Sequence, residues 1–413
     1  VPKRQNRPSR QQIYRRRRTA IFGSALVLLS VAIYLPLTLL APLPPVAAER
    51  AAYVAPASSP AQIALPDYGA SGIAAVGTDG LLASSGSTTP LPIASVTKVI
   101  TALVVLDAKP IEVGAEGETL DFTSADVQIY NDYLAQNGSV KAVRAGDSLS
   151  QRDVLELTLV GSANNYARSL VNWAFGSEQE YTAVATQWLT DNGLTSTTIT
   201  DSTGISPRNT SIPADLVRLG ELAIADPIVA EIVAQKTSTV DDVGTFGNTN
   251  KLLGIDGIDG IKTGTLDEAG ACLLFSADVL IDDEPLTLVG VVLGGADHET
   301  VNASVRALVE GVTAGYQRVT LTTAGQSFGS YTTAWGDTTE IVAAEDSSMI
   351  VWSDTPITAT VDTGEIDVAG QGSDVGSLSF VSGTQQVEIP LITTDPVDDP
   401  GAGWRLTNPG ELF

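Results

Sequence analysis

The chain has 413 residues, 43% hydrophobic and 17% charged, which is enough for two globular domains of about 100–200 residues each. Its formal net charge of −25 hides a split: residues 1–18 hold eight bases and no acid, whereas residues 49–413 hold all 48 acids and 15 bases, a net of −33. A body so acidic repels phosphate backbones, so no nucleic-acid partner is expected. With one Cys (Cys272) and one His (His298) there is no intrachain disulfide, no His/Cys ligand set for the zinc of a metallopeptidase, and no base but His298 for a Ser-His-Asp triad.

In chain order, the basic residues 1–18 read as a cytoplasmic tail. Thr19 to Ala48 carry no charge, and residues 19–43 form an apolar segment with Pro36 as its kink or end. About 20 apolar residues span a bilayer, and Arg15–Arg18 place the N-terminus in the cytoplasm. Two readings stay open. The segment is a retained single-pass anchor, which its length favours, or a signal segment cut after Ala48. Either way residues 49–413 lie outside the cytoplasm. Residues 44–61, rich in Pro and Ala, read as a spacer off the membrane.

Residues 62–315 read as one α+β domain, an antiparallel sheet with surrounding helices. Short strands are expected near 62–85. Val96, Val99, Ile100, Leu103 and Val104 repeat at helical spacing and predict a helix over Ile93–Ala108. Further helices are expected over Gln151–Leu159, capped by Ser150 with Asp153, over Asn165–Phe175, 179–192, 213–225 and Thr300–Ala314. Gly257–Thr265, Ala271–Leu280 and Leu286–Leu293 read as strands. Residues 316–413 change character: short Val/Ile/Thr runs separated by Gly, Asp and Ser, with 14 acids against two bases, predict a smaller all-β domain. Cys272 reads as a buried strand thiol and His298 as a surface or helix-start residue.

Three short motifs carry chemistry. Ser95-Val96-Thr97-Lys98 puts a hydroxyl and an amine three residues apart on one helical face, beside the free N–H groups of a helix start. A Ser hydroxyl needs a base to take its proton, and a Lys whose charge is disfavoured by burial and a second cation can serve. Ser162-Ala163-Asn164 sits on a break between helices, where the hydroxyl can relay a proton and the amide can position a Lys and bind a substrate amide. Lys262-Thr263-Gly264 lies in a strand, where a cation and a hydroxyl make a carboxylate site and the Gly lets a backbone come close. Each motif alone is weak. Their order, each on its expected kind of element, is specific.

With these spacings, and with Asp201-Ser202-Thr203-Gly204, Asn250-Lys251-Leu252-Leu253-Gly254 and Ala269-Gly270-Ala271-Cys272-Leu273 around them, residues 65–315 resemble the D-alanyl-D-alanine carboxypeptidases, the low-molecular-mass penicillin-binding proteins. The resemblance implies a cofactor-free, metal-free serine enzyme. It removes the terminal D-Ala of a peptidoglycan stem pentapeptide and is acylated by β-lactam antibiotics. It implies Ser95 as nucleophile, Lys98 as base and Ser162 as proton relay. Asn164, Lys262, Thr263, Gly264 and Thr265 would bind substrate, and the N–H groups of Ser95 and Thr265 would form the oxyanion hole.

The sequence departs from the family in two places. Asn165 stands where an Asp is common, and no Arg follows Gly294-Gly295 before Arg306, so His298, Arg306 or nothing assists the carboxylate site. Two rivals remain. A β-lactamase would need a deacylating Glu, and Glu178, Glu180, Glu221 and Glu231 lack the context for it. A non-catalytic wall-binding or β-lactam-sensing protein on the same fold would not need the intact motifs.

Overall fold

The computed structural model describes residues 9–54, 56 and 60–413. Residues 1–8 of the basic segment and 55 and 57–59 of the Pro/Ala segment lie outside the described residues. The chain divides into two units, Ser58–Arg318 with Ile350–Thr355, and Val1–Ala57 with Val319–Met349 and Pro356–Phe413.

The first unit is organised by a five-stranded antiparallel sheet in the order Ile258–Leu266, Gly270–Ile281, Glu284–Gly295, Ala70–Ala75, Ala83–Gly86. Its long strands are apolar almost throughout because both faces are covered, and alternate side chains enter different cores. From Gly270–Ile281, Cys272 and Leu274 join the larger core with the helices Thr97–Ala108, Gln151–Leu159 and Asn164–Phe175. Leu273, Phe275 and Ala277 join the other, against Val301, Val305 and Leu308 of the helix His298–Gly315. The helix Pro213–Ala225 starts on Pro213, a residue already set at a helical φ, and packs on the sheet through Leu216 and Leu219.

Most expected elements stand where the hydrophobic period placed them. The helix expected over Ile93–Ala108 begins later, at Thr97, and is preceded by a 3₁₀ turn at Ala94–Val96 in which Ala94 takes a φ of +46°. The helix Ser124–Ala135 escaped the sequence reading because it buries only Tyr133, so it shows almost no apolar stripe; its capping box of Thr123 and Asp126 was the available signal. Cys272 is a buried free thiol, pushed by burial up to about 11.

In the second unit a six-stranded antiparallel sheet runs Glu49–Arg50, Ser327–Thr332, Thr338–Ala343, Gln385–Thr393, Asp374–Ser382, Thr358–Thr363. Phe328, Tyr331, Ile341, Leu378, Phe380, Ile389 and Leu391 are among its buried residues. The apolar segment lies in a 30-residue helix, Arg10–Leu39, that continues three residues beyond Pro36. It is the one helix among the described residues long and apolar enough to cross a membrane.

Candidate active site

Ser95 sits in the 3₁₀ turn and Lys98 in the first turn of the helix Thr97–Ala108. Lys98 is fully buried. Its Nζ lies 2.8 Å from Ser95 Oγ, 2.7 Å from Asn164 Oδ1 and 2.8 Å from the carbonyl of Thr203. The last two groups only accept. A neutral amine has two N–H bonds and one lone pair, so giving both hydrogens to Asn164 and Thr203 turns the lone pair toward the Ser95 hydroxyl. Burial first, and then the charge of Lys262, hold Lys98 well below the usual lysine range, with Asp201 opposing. Both disfavour the ammonium form of the amine that faces Ser95.

Ser162 occupies the break between the helices Gln151–Leu159 and Asn164–Phe175, with a φ of +53°. Such a conformation costs of order 1–3 kcal/mol for a residue with a Cβ. It is held from both sides, by Gly161 N–H to Glu156 O before it and by Ala163 N–H to Leu157 O and Asn164 N–H to Ser139 O after it. The hydrogen bond of Ser162 Oγ comes from Lys262 Nζ, at 2.9 Å, and not from Lys98. Asn165, at the position where Asp is common, exchanges two hydrogen bonds with the backbone of Lys141 and so holds the loop that faces the site. An amide does this with both its oxygen and its nitrogen, which a carboxylate would not.

The strand Ile258–Leu266 forms the opposite wall. A Cβ at Gly264 would lie 3.0 Å from Ile93 O and 3.2 Å from Ser95 N, so the missing side chain is what lets the strand pass this close to Ser95. Thr263 Oγ1 is 2.5 Å from Thr249 Oγ1. Lys262 is fully buried, and burial lowers it to about 7. The cleft between these walls measures about 680 Å³; Ser95, Ser162, Asn164, Thr263, Gly264 and Thr265 line it, and Lys98 and Lys262 lie beneath its floor.

The structure adds groups that motif reading did not assign. Asp201 accepts from Thr203 N and Oγ1, Gly204 N and Ser206 N, which folds the Asp201–Ser206 loop so that the Thr203 carbonyl points at Lys98. A backbone carbonyl has no signature in a sequence. Asn250 fixes the adjoining loop through Gly260 O and Leu252 N. His298 is both helix-start residue and cleft residue, its Nε2 being 2.8 Å from Thr265 Oγ1. Arg306 instead pairs with Asp256 at 2.5 Å on an exposed surface and does not line the cleft. Of the two candidates for the missing Arg, only His298 is in place. Burial and the Lys262 charge keep its imidazole below the usual histidine range, with Asp297 opposing.

A Ser hydroxyl held against a desolvated Lys, with a second Lys and hydroxyls across the cleft, is equipment that suits serine acyl transfer. The D-alanyl-D-alanine carboxypeptidase family model matches residues 71–297, over half the chain. The chain belongs to that family of serine hydrolases. It is 29% identical over 267 residues to the D-alanyl-D-alanine endopeptidase of Escherichia coli strain K12, covering 62% of this chain and 79% of that one. It is 25% identical over 350 residues to the D-alanyl-D-alanine carboxypeptidase DacC of the same strain, covering 79% and 83%. Among solved structures, a peptidoglycan synthesis regulatory factor (PBP3) from Streptococcus pneumoniae shares the fold, with a TM-score of 0.58 at 21% identity over 81% of this chain and all of that one.

Proposed function

We propose that Ser95 attacks the carbonyl of the penultimate D-Ala of a peptidoglycan stem pentapeptide, in a cleft held outside the cytoplasm by the retained N-terminal helix. The observation that carries this reading is the buried Lys98, its Nζ within hydrogen-bond distance of Ser95 Oγ, Asn164 Oδ1 and the Thr203 carbonyl. The Ser95 proton passes to Lys98 as the C–O bond forms. The N–H groups of Ser95 and Thr265 take up the oxyanion charge. As the peptide C–N bond breaks, the proton goes to the departing D-Ala amine, with Ser162 as relay. Water then attacks the acyl-enzyme, again with Lys98 as base. Thr263, Thr265 and Lys262 receive the terminal carboxylate. A β-lactam enters as the same electrophile and remains on Ser95, so a fluorescent penicillin should label the wild type and leave Ser95→Ala unlabelled. Labelling of Ser95→Ala would overturn the assignment.

The glutamates that a β-lactamase would need are engaged elsewhere. Glu178 pairs with Arg168 and accepts from Ser202 N, Glu180 meets Ser177, Glu221 pairs with Arg218 and Glu231 with Arg152, and none lines the cleft. Purified protein should therefore turn over a chromogenic cephalosporin slowly.

A second reading concerns the leaving group. The cleft continues past Thr265 to Asp267 and Glu268. This opening, with the likeness to an endopeptidase, supports cleavage of D-Ala from a larger D-residue that bears its own α-carboxylate. Comparing release from a cross-linked stem dimer with release from the pentapeptide separates the two reactions.

The lysine pair gives a pH signature. Acylation needs Lys98 neutral, so the rate rises with pH as Lys98 loses its proton and levels off well below the ordinary lysine range. Carboxylate capture needs Lys262 charged, so kcat/KM falls as pH rises past about 7 in the free enzyme. A bound carboxylate raises Lys262, so the falling limb of kcat lies at higher pH. The two lysines titrate as a pair, and the expected kcat/KM profile is a bell. A rate that climbs tenfold per pH unit to about pH 10, as an unperturbed lysine would give, contradicts this.

His298→Ala should raise KM for the stem peptide about three- to tenfold, the effect of one lost hydrogen bond of about 0.5–1.5 kcal/mol, with a smaller change in kcat. An unchanged KM would remove His298 from the carboxylate site.

A further inference from the structure

The segment that follows the membrane helix does not read as a free spacer. Within the second unit it is built into the fold that the C-terminal strands make. Val46 and Ile366 exchange backbone hydrogen bonds of 2.7 and 3.1 Å. Glu49–Arg50 form the edge strand of the six-stranded sheet opposite Ser330 and Gly329, and Ala51 N–H continues the ladder to Phe328 O. Arg50 donates to Thr363 Oγ1 and Thr363 O, and Tyr53 packs edge-on against Phe380 with ring centres 4.9 Å apart. Gly329 records the same pairing from the other strand. Its φ is +154°, and a Cβ there would lie 2.3 Å from Glu49 O.

Nearer the helix the attachment is tighter. Arg405, 9% exposed, pairs with Asp399 at 2.6 Å and gives Nη1 to Ala41 O at 2.5 Å. Tyr34 donates its hydroxyl to Leu406 O at 2.7 Å, and Ala41, Leu43 and Leu412 bury one another beside Trp335 and Trp404. A cut after Ala48 would remove the acceptor of a buried guanidinium, two of the three buried members of that cluster, and the Val46 rung.

Tyr34 also sets a depth. Thr19–Tyr34 spans about 24 Å at 1.5 Å per residue, a few Å short of the ~30 Å hydrocarbon core, a mismatch that snorkelling of Arg15–Arg18 and local thinning of the bilayer take up. The chain around Leu406 therefore meets the helix at the boundary of hydrocarbon and headgroups. There it holds the half-buried Trp335 and Trp404, packed edge-on at 5.6 Å with Trp335 Nε1 donating to Asp337 Oδ2, and an exposed Phe413. Trp belongs at that boundary, with its ring in the apolar edge and its N–H in the wet layer.

We propose that residues 41–54 are a permanent strap of the C-terminal β domain, that the N-terminal helix is consequently never removed, and that this domain rests on the phospholipid surface through Trp335, Trp404 and Phe413. The contact is apolar rather than electrostatic, since Arg405, the only base from 319 to 413, is buried and paired.

Two readouts test this without using the hydrolase activity, so it stands or falls apart from the proposed reaction. The full chain, expressed in a bacterial membrane, should give an intact mass that retains residues 19–48; a mature form starting at Glu49 would overturn the strap. Reconstituted in phosphatidylcholine–phosphatidylglycerol vesicles with brominated acyl chains, the full chain should show quenched Trp emission. The Trp335→Phe/Trp404→Phe variant should lose most of that quenching, while Trp352→Phe, which removes a ring packed on Tyr316, should keep it. A cooperative thermal melt with wild-type far-UV circular dichroism verifies that each variant is folded. Equal quenching in the double variant and the wild type would overturn the membrane contact.

Discussion

Lys98→Ala should slow acylation of Ser95 by about 10²–10⁴-fold, the usual contribution of a positioned general base. The loss should appear at every pH from 6 to about 10, because among the described residues no other base is hydrogen-bonded to Ser95 Oγ. Ser162 is held by Lys262, and Asn164 turns its oxygen toward Lys98. Lys98→Arg should rescue little. A guanidinium keeps its proton and has no lone pair to offer, and the site is fully buried. Stopped-flow acylation by a chromogenic penicillin or cephalosporin measures both variants. A drop of less than about tenfold in Lys98→Ala would assign the base elsewhere.

Gly204→Ala should cost both stability and activity. Gly204 has a φ of +83°, and a Cβ there would fall 1.8 Å from Ala94 O and 2.9 Å from Ser95 N. Those atoms are backbone and cannot swing aside. Either the Asp201–Ser206 loop retreats and takes the Thr203 carbonyl from Lys98, or the nucleophile turn moves. The φ alone costs of order 1–3 kcal/mol, and displacing reacting groups by about 1 Å costs roughly 10²-fold in rate. Gly193→Ala is the matched control, with a φ of +81° and nothing within 4 Å of the added Cβ. It should lower Tm by a similar backbone contribution and leave acylation unchanged. Equal acylation rates in the two variants would contradict this account of the nucleophile turn.

Much of the catalytic fold is legible in the sequence because burial writes a period into it. The helix Pro213–Ala225 shows its Pro start and apolar face, and the three long strands show near-continuous apolar runs between Gly and acidic turns. Elements that bury little leave little trace. The helix Ser124–Ala135 hides one side chain, and the two-residue edge strand Glu49–Arg50 has a partner about 280 residues away. At Pro36 the local rule left a kink or an end open, and the chain continues the helix to Leu39.

The site divides in the same way. Ser95, Lys98, Ser162, Asn164 and Lys262–Thr265 stand out because their spacing repeats a chemical pattern, and the structure gathers them around one cleft. The Thr203 carbonyl, the Thr249 hydroxyl and the His298 imidazole reach the same cleft from separate loops and a helix start. A carbonyl is common to every residue, and a lone Thr or His is ordinary, so only coordinates give these groups meaning.

The central claim is that Ser95, activated by a neutral Lys98, opens the D-Ala–D-Ala bond. The most direct measurement is release of D-Ala from a stem pentapeptide by the purified full chain beside Ser95→Ala, with and without an added amine acceptor. The account predicts stoichiometric D-Ala and tetrapeptide from the wild type and none above background from Ser95→Ala. Absence of release by the wild type, or equal release by both, would contradict it.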